Sequence, residues 1–91
     1  MVLVTLTSEG QTSFRKLPPS VREGYDQLLM QFIEARRLTL PGEWNCHQLE
    51  GGRQLWTLKL GPYRGIFRWD GFEARFVRFG HFTTVYTRLP K

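Results

Sequence analysis

The sequence predicts an α+β domain of order β-α-α-β-β-β, with two helices on one face of a mainly antiparallel four-stranded sheet. Three observations carry this. A single apolar stripe runs along the second helical segment. Three alternating segments then follow one another across the tight-turn signals "GP" and "DG". The intervals between those segments are too short for a parallel crossover, which takes a dozen or more residues. The chain has 91 residues, 41% of them hydrophobic and 14% aromatic. That is one domain, residues 1–91, with enough apolar material for its own core.

Each element has a local reason. "VLVTLT" is a first strand in which Val2, Val4 and Leu6 share a face. "SEGQ" offers Ser8 as N-cap with Gln11 three residues on, a capping box that opens a short helix through Phe14 and Leu17. "LPPS" breaks that helix and places a proline in the first turn of the next. There Val21, Tyr25, Leu28, Leu29, Phe32 and Ile33 recur at helical spacing, with Arg22, Glu23, Asp26 and Glu34 on the other side. This stripe reads as core. Pro41-Gly42 ends the helical region, and "EWNCHQLEGGRQ" reads as a connecting loop with a Gly-Gly turn. The strands "LWTLKL", "YRGIFRW" and "EARFVRFG" complete the sheet.

Composition removes several function classes. A single cysteine, Cys46, excludes an internal disulfide framework. Cys46, His47 and His81 are too few for a zinc site of four spaced ligands. Neither metal nor cofactor is therefore expected. No apolar run approaches the ~20 residues of a membrane span. "MVLVTLTSEG" lacks the basic start and long apolar stretch of a signal peptide. The expectation is a cytoplasmic domain with no membrane partner.

Charge is segregated. The net charge is +5. Through residue 54, Arg15, Lys16, Arg22, Arg36, Arg37 and Arg53 are balanced by Glu9, Glu23, Asp26, Glu34, Glu43 and Glu50. Beyond it Lys59, Arg64, Arg68, Arg75, Arg78, Arg88 and Lys91 face only Asp70 and Glu73. The surplus lies in the last three strands and the tail, as on a polyanion-binding surface. Strict alternation sorts these strands into two sets. Trp56, Leu58, Leu60, Tyr63, Gly65, Phe67, Trp69, Val77 and Phe79, with Arg75 at an end, should meet the helices. Thr57, Lys59, Arg64, Ile66, Arg68, Phe76 and Arg78 should form the opposite face. Like charges on neighbouring strands repel, and a polyanion would supply the counter-charge. Arginine suits bidentate phosphate recognition, so nucleic acid is the favoured partner over an ordinary solvated face. His81 and Tyr86 follow, a group titrating near neutrality and a phenol. Their plainer readings are a structural histidine and a packing lid.

The run "LEGGRQLWTLKLGPYRGIFRWDG…ARFVRFGHFTTVY" resembles the signature of the RelE/ParE toxin superfamily. The likeness spans residues 49–86, and the first strand, helix pair and "LPP" opening agree with it. It implies the toxin of a type II toxin–antitoxin pair, with a cognate antitoxin, the ribosome and mRNA as partners. RelE-like members cut mRNA in the ribosomal A site; ParE-like members poison DNA gyrase. The resemblance matches Lys59, Arg64, Arg78 and Tyr86 to superfamily positions, and with His81 they form the expected catalytic set. Arg64 and Arg78 would stabilise the phosphorane, Lys59 or His81 would be the general base, and Tyr86 would orient or stack. Thr57, Arg68, Phe76, Phe82 and Arg88 are the expected RNA contacts. Three positions depart from the pattern: Thr57 and Glu50 where lysine is usual, and Phe82 where arginine is usual. The implied activity is a metal-independent endoribonuclease. The alternative is a non-enzymatic gyrase poison or RNA-binding module.

Overall fold

In the computed structural model, residues 3–34, 46–48 and 55–87 are described. Strand β1 (Leu3–Leu6) ends at Thr7, whose extended backbone turns the chain into helix α1 (Ser8–Arg15). Thr7 is the N-cap, one residue earlier than the sequence predicts: its hydroxyl accepts from the Gly10 N–H at 3.0 Å. Tertiary pairing selects it, because the Thr7 N–H already donates to the Phe76 carbonyl at 2.9 Å. The same approach explains Gly10. A Cβ there would stand 2.4 Å from the Phe76 oxygen, so helix and strand touch backbone to backbone.

Helix α2 (Pro19–Glu34) starts at its proline, with the Pro18 carbonyl accepting from the N–H groups of Val21 and Arg22, each at 3.0 Å. Its stripe is core, as its period implies. Tyr25 and Leu29 are buried, Val21 and Leu28 pack against the same cluster, and the Tyr25 hydroxyl donates to the Leu58 carbonyl at 3.0 Å. The predicted helix end at Pro41-Gly42 and the Gly51-Gly52 turn lie outside the described residues.

The sheet has five strands in the order β1-β5-β4-β3-β2. Here β2 is Cys46–Gln48, β3 Leu55–Leu60, β4 Tyr63–Trp69 and β5 Glu73–His81. The last four run antiparallel; β1 joins the outer edge of β5 in parallel. The α+β architecture stands, with β2 as an addition. Its three residues, assigned above to a loop, are too few to display a period of two, and they are strand only because β3 offers them an edge. The predicted turns carry the glycines they need: Gly61 at φ 59° opens the two-residue β3–β4 connection, and Gly71 at φ 99° is the middle of the three residues that join β4 to β5.

Two apolar clusters sit on opposite faces of this sheet. Leu17, Tyr25, Leu29, Leu58, Phe67, Ala74, Phe76 and Phe79 form the helix-side core. Leu55, Ile66, Val77 and Val85 form a smaller one on the other side. A β-bulge in β5 divides them. Ile66 pairs with Arg78 while the next residue, Phe67, pairs with Phe76, which leaves Val77 as the extra residue. Phe76 and Phe79 therefore lie on the same side, their rings stacked at 5.2 Å, and Val77 and Arg78 share the other. This corrects strict alternation at three places. Phe76 belongs to the core and is fully buried, so it is not an RNA contact; Val77 and Arg75 belong to the face away from the helices.

Candidate functional site

The face away from the helices has three cross-strand rows. Lys59, Arg64 and Gly80 form the row nearest the β3–β4 turn. Thr57, Ile66 and Arg78 form the middle one. Leu55, Arg68 and Arg75 form the third, near the β4–β5 turn. Cations thus occupy both ends, and Arg78 stands at the edge of a middle row whose Thr57 and Ile66 are buried. That row is covered by residues 82–87, which turn back after β5 through Val85 N–H to His81 carbonyl at 2.9 Å and bury Val85 over Gly80.

The near end gathers the groups with chemical potential. Lys59 is half-buried, opposite Arg64. Among the described residues Lys59 has no hydrogen-bond or ion-pair partner. Arg64 folds back over its own turn rather than standing mid-face. Its Nη1 donates to the carbonyls of Gly61 at 2.7 Å and Tyr63 at 2.9 Å, and the guanidinium carbon lies 5.7 Å from the centre of the Phe82 ring. His81 meets Tyr63 edge to face at 5.6 Å and Phe82 at 4.8 Å. The Thr83 N–H donates to His81 Nδ1 at 3.3 Å, and the Thr83 hydroxyl lies 2.8 Å from the same nitrogen. With Nδ1 an acceptor, the neutral ring carries its hydrogen on Nε2. In that tautomer Nε2 is the donor edge of the ring. Phe82 and Tyr86 are exposed apolar rings, 49% and 40% accessible. Burial raises the pKa of the Tyr25 phenol behind them, while the positive charge of Arg64 opposes that rise and Tyr86 adds to it.

Two assigned residues sit differently from their expected roles. Thr57 is 2% exposed, with a hydroxyl that has no partner among the described residues, so it is a buried residue of the face and not a surface contact. Arg78 is engaged by the protein itself. Its Nε pairs with the Glu9 carboxylate, and its Nη1 donates to the carbonyls of Val85 at 3.0 Å and Thr87. Arg88 lies outside the described residues, as does Glu50. At the far end, Arg68 has no partner among the described residues, while Arg75 pairs with Glu73 at 3.2 Å. Glu73 also accepts from the Thr5 hydroxyl at 2.8 Å. Asp70 caps the adjoining turn by accepting from the N–H groups of Phe72 and Glu73, which holds its carboxyl below the usual range.

Sequence reasoning missed Glu9, Ser13 and Val85. Ser13 accepts the Phe79 N–H at 2.9 Å, continuing along β5 the edge that β1 covers only as far as Phe76. Glu9 reaches a partner 69 positions away, and no local pattern signals it. Among the described residues no three His, Cys, Asp or Glu side chains gather as a metal-binding group, and no helix is long and apolar enough to cross a membrane.

No protein-family profile matches the sequence, and no curated protein matches it. Solved structures do. A chain of the RelB–RelE antitoxin–toxin complex from Methanococcus jannaschii superposes with a TM-score of 0.78 at 14% identity, covering 94% of this chain and 99% of that one. YafQ from E. coli strain BL21(DE3) gives 0.70 at 13% identity, over 94% and 99% of the two chains. The isolated E. coli RelE toxin gives 0.68 at 19%, over 89% and 84%. The likenesses span most of each chain, and the chain has the RelE-like toxin fold.

Proposed function

We propose that this protein is the toxin of a type II toxin–antitoxin pair and that it cleaves mRNA on the ribosome. The observation that carries the reading is the near end of the exposed face. There Lys59 and Arg64 stand opposite each other, and the Arg64 guanidinium lies over the Phe82 ring that touches His81, on a fold shared with RelE over nearly the whole chain. Cations beside an imidazole, with a phenol on the adjoining turn, are groups that a phosphodiester transfer can use, with no covalent enzyme intermediate.

In the proposed reaction the ribose 2′-oxygen attacks the adjacent phosphorus and the bond to the 5′-oxygen breaks. The products are a 2′,3′-cyclic phosphate and a 5′-hydroxyl end. Lys59 takes the 2′-hydroxyl proton. Arg64, freed from its turn carbonyls, and the His81 Nε2–H donate to the equatorial oxygens as charge builds there. Tyr86 stacks on a base or delivers the proton to the leaving oxygen, and Phe82 offers a second stacking ring. Arg68 holds backbone phosphate at the far end.

A non-enzymatic reading has its own support. Thr57 is buried where the resemblance expects lysine, and Phe82 stands where it expects arginine. Purified protein added to translating ribosomes, with mRNA 5′ ends mapped, separates the two. New ends that disappear in a Lys59→Ala/Arg64→Ala variant support cleavage. Intact message together with inhibited gyrase supercoiling would overturn it.

A further inference from the structure

We infer that Arg78 and Glu9 are positioning residues forming a clasp that fixes Tyr86, and that Arg78 is not a phosphate ligand. The argument starts from what the guanidinium already holds. Its Nη1 donates to Val85 and Thr87, the two residues flanking Tyr86, so both neighbouring carbonyls are tied to one group. The Nε bond to Glu9 occupies another edge of the fork and fixes its orientation. The Arg78 side chain is 19% exposed, against 51% for Glu9, which leaves little of the cation for an incoming polyanion.

The anchorage at both ends is firm. Arg78 lies beside the bulge in β5, across from fully buried Ile66. Glu9 stands in the first turn of α1, where a carboxylate suits the positive end of the helix dipole. Helix α1 is itself locked to β5 through Gly10 and Ser13. The bulge is what makes the clasp possible. Strict alternation counted from buried Phe76 would put Arg78 on the helix side; the bulge at Val77 keeps it beside Ile66, on the side of residues 82–87. Val85 alone, a branched apolar side chain in a small cluster, fixes position; the clasp adds orientation to the phenol beside it.

The chemical role of Tyr86 rests on the function proposed above; the clasp does not. The test therefore reads both. Fluorotyrosine placed at position 86 gives a 19F signal in wild type, Glu9→Gln and Arg78→Gln. Loss of the clasp is expected to shift and broaden that signal in both variants, with circular dichroism confirming the fold. Glu9→Gln, at a half-exposed site, serves if Arg78→Gln does not fold. Binding of a single-stranded RNA oligomer is then followed against salt. A phosphate ligand lost from single strands lowers the log–log slope by about 0.7, whereas the clasp predicts an unchanged slope. In ribosome-dependent cleavage, Arg78→Gln should lower kcat about tenfold with KM unchanged, but change it less than about twofold in a Tyr86→Ala background. An unmoved 19F signal with a slope reduced by one phosphate would overturn the inference. A moved signal in a protein that cleaves nothing would keep the clasp and remove the nuclease.

Discussion

Arg64 and Tyr86 divide the proposed chemistry at the level of single residues. Arg64→Ala removes a preorganised donor and should cost roughly 10²–10³ in cleavage rate. The melting temperature should hardly move, because the turn carbonyls Arg64 serves are exposed to water or part-buried. Wild-type cleavage by a folded Arg64→Ala protein would remove this face as the active site. Tyr86→Phe keeps the ring and deletes only the hydroxyl. A large loss in kcat assigns it proton transfer; a small one leaves stacking.

Tyr25 gives a residue-level prediction about pH. Its phenol is buried and its pKa is raised above the usual 10.0. A raised value in the folded state means that the native protein keeps a proton the unfolded chain releases. The stabilisation is complete below about pH 10 and is lost as pH rises beyond it. Melting temperature should fall steeply from about pH 10 upward. Tyr25→Phe should flatten that fall, at a cost of about 1 kcal/mol near neutrality for the lost bond to the Leu58 carbonyl. An equally steep alkaline fall in Tyr25→Phe would contradict the assignment.

Between elements, the contact of α1 with the bulged strand is the tightest joint of the fold. Gly10→Ala drives a methyl into the Phe76 carbonyl, and helix or strand must shift. The expected loss is about 1–3 kcal/mol, measurable by denaturant unfolding. An unchanged midpoint would show that the joint is looser than its geometry. Val85→Ala tests the other side. Truncation in the four-residue cluster should cost about 2 kcal/mol and loosen the 82–87 turns over the sheet. Exchange rates of the Val85 and Thr87 amides would report that loosening directly.

At the scale of the molecule, the cationic face implies a partner that covers it. An antitoxin for this chain should be acidic and should order upon binding. Co-expression with the product of the neighbouring open reading frame should raise yield and give a complex that weakens with salt. Unimpaired growth of cells expressing the chain alone would count against the toxin reading. Polyanion binding should be salt-dependent in proportion to the cations engaged. Arg68→Gln should lower the slope for single-stranded RNA by about 0.7, unlike the substitutions at the Glu9–Arg78 clasp.

The sequence by itself determined the α+β class, the order of every element but β2, the helix stripe, both tight turns and the concentration of cations in the last strands. Each is written in local signals: a period of 3.6 or 2, a proline at a helix start, a glycine at positive φ. Only the tertiary structure decided which side chains share a surface. Alternation sorts residues correctly until a strand gains one residue, and the extra Val77 moved Phe76 into the core and put Val77 itself on the other face. Arg78 keeps its expected place beside Ile66, but only the tertiary structure brings Glu9 and the carbonyls beside Tyr86 to it. Those partners come from the two ends of the chain. Their meeting depends on β1 pairing with β5 and on residues 82–87 folding back, and no local pattern encodes either.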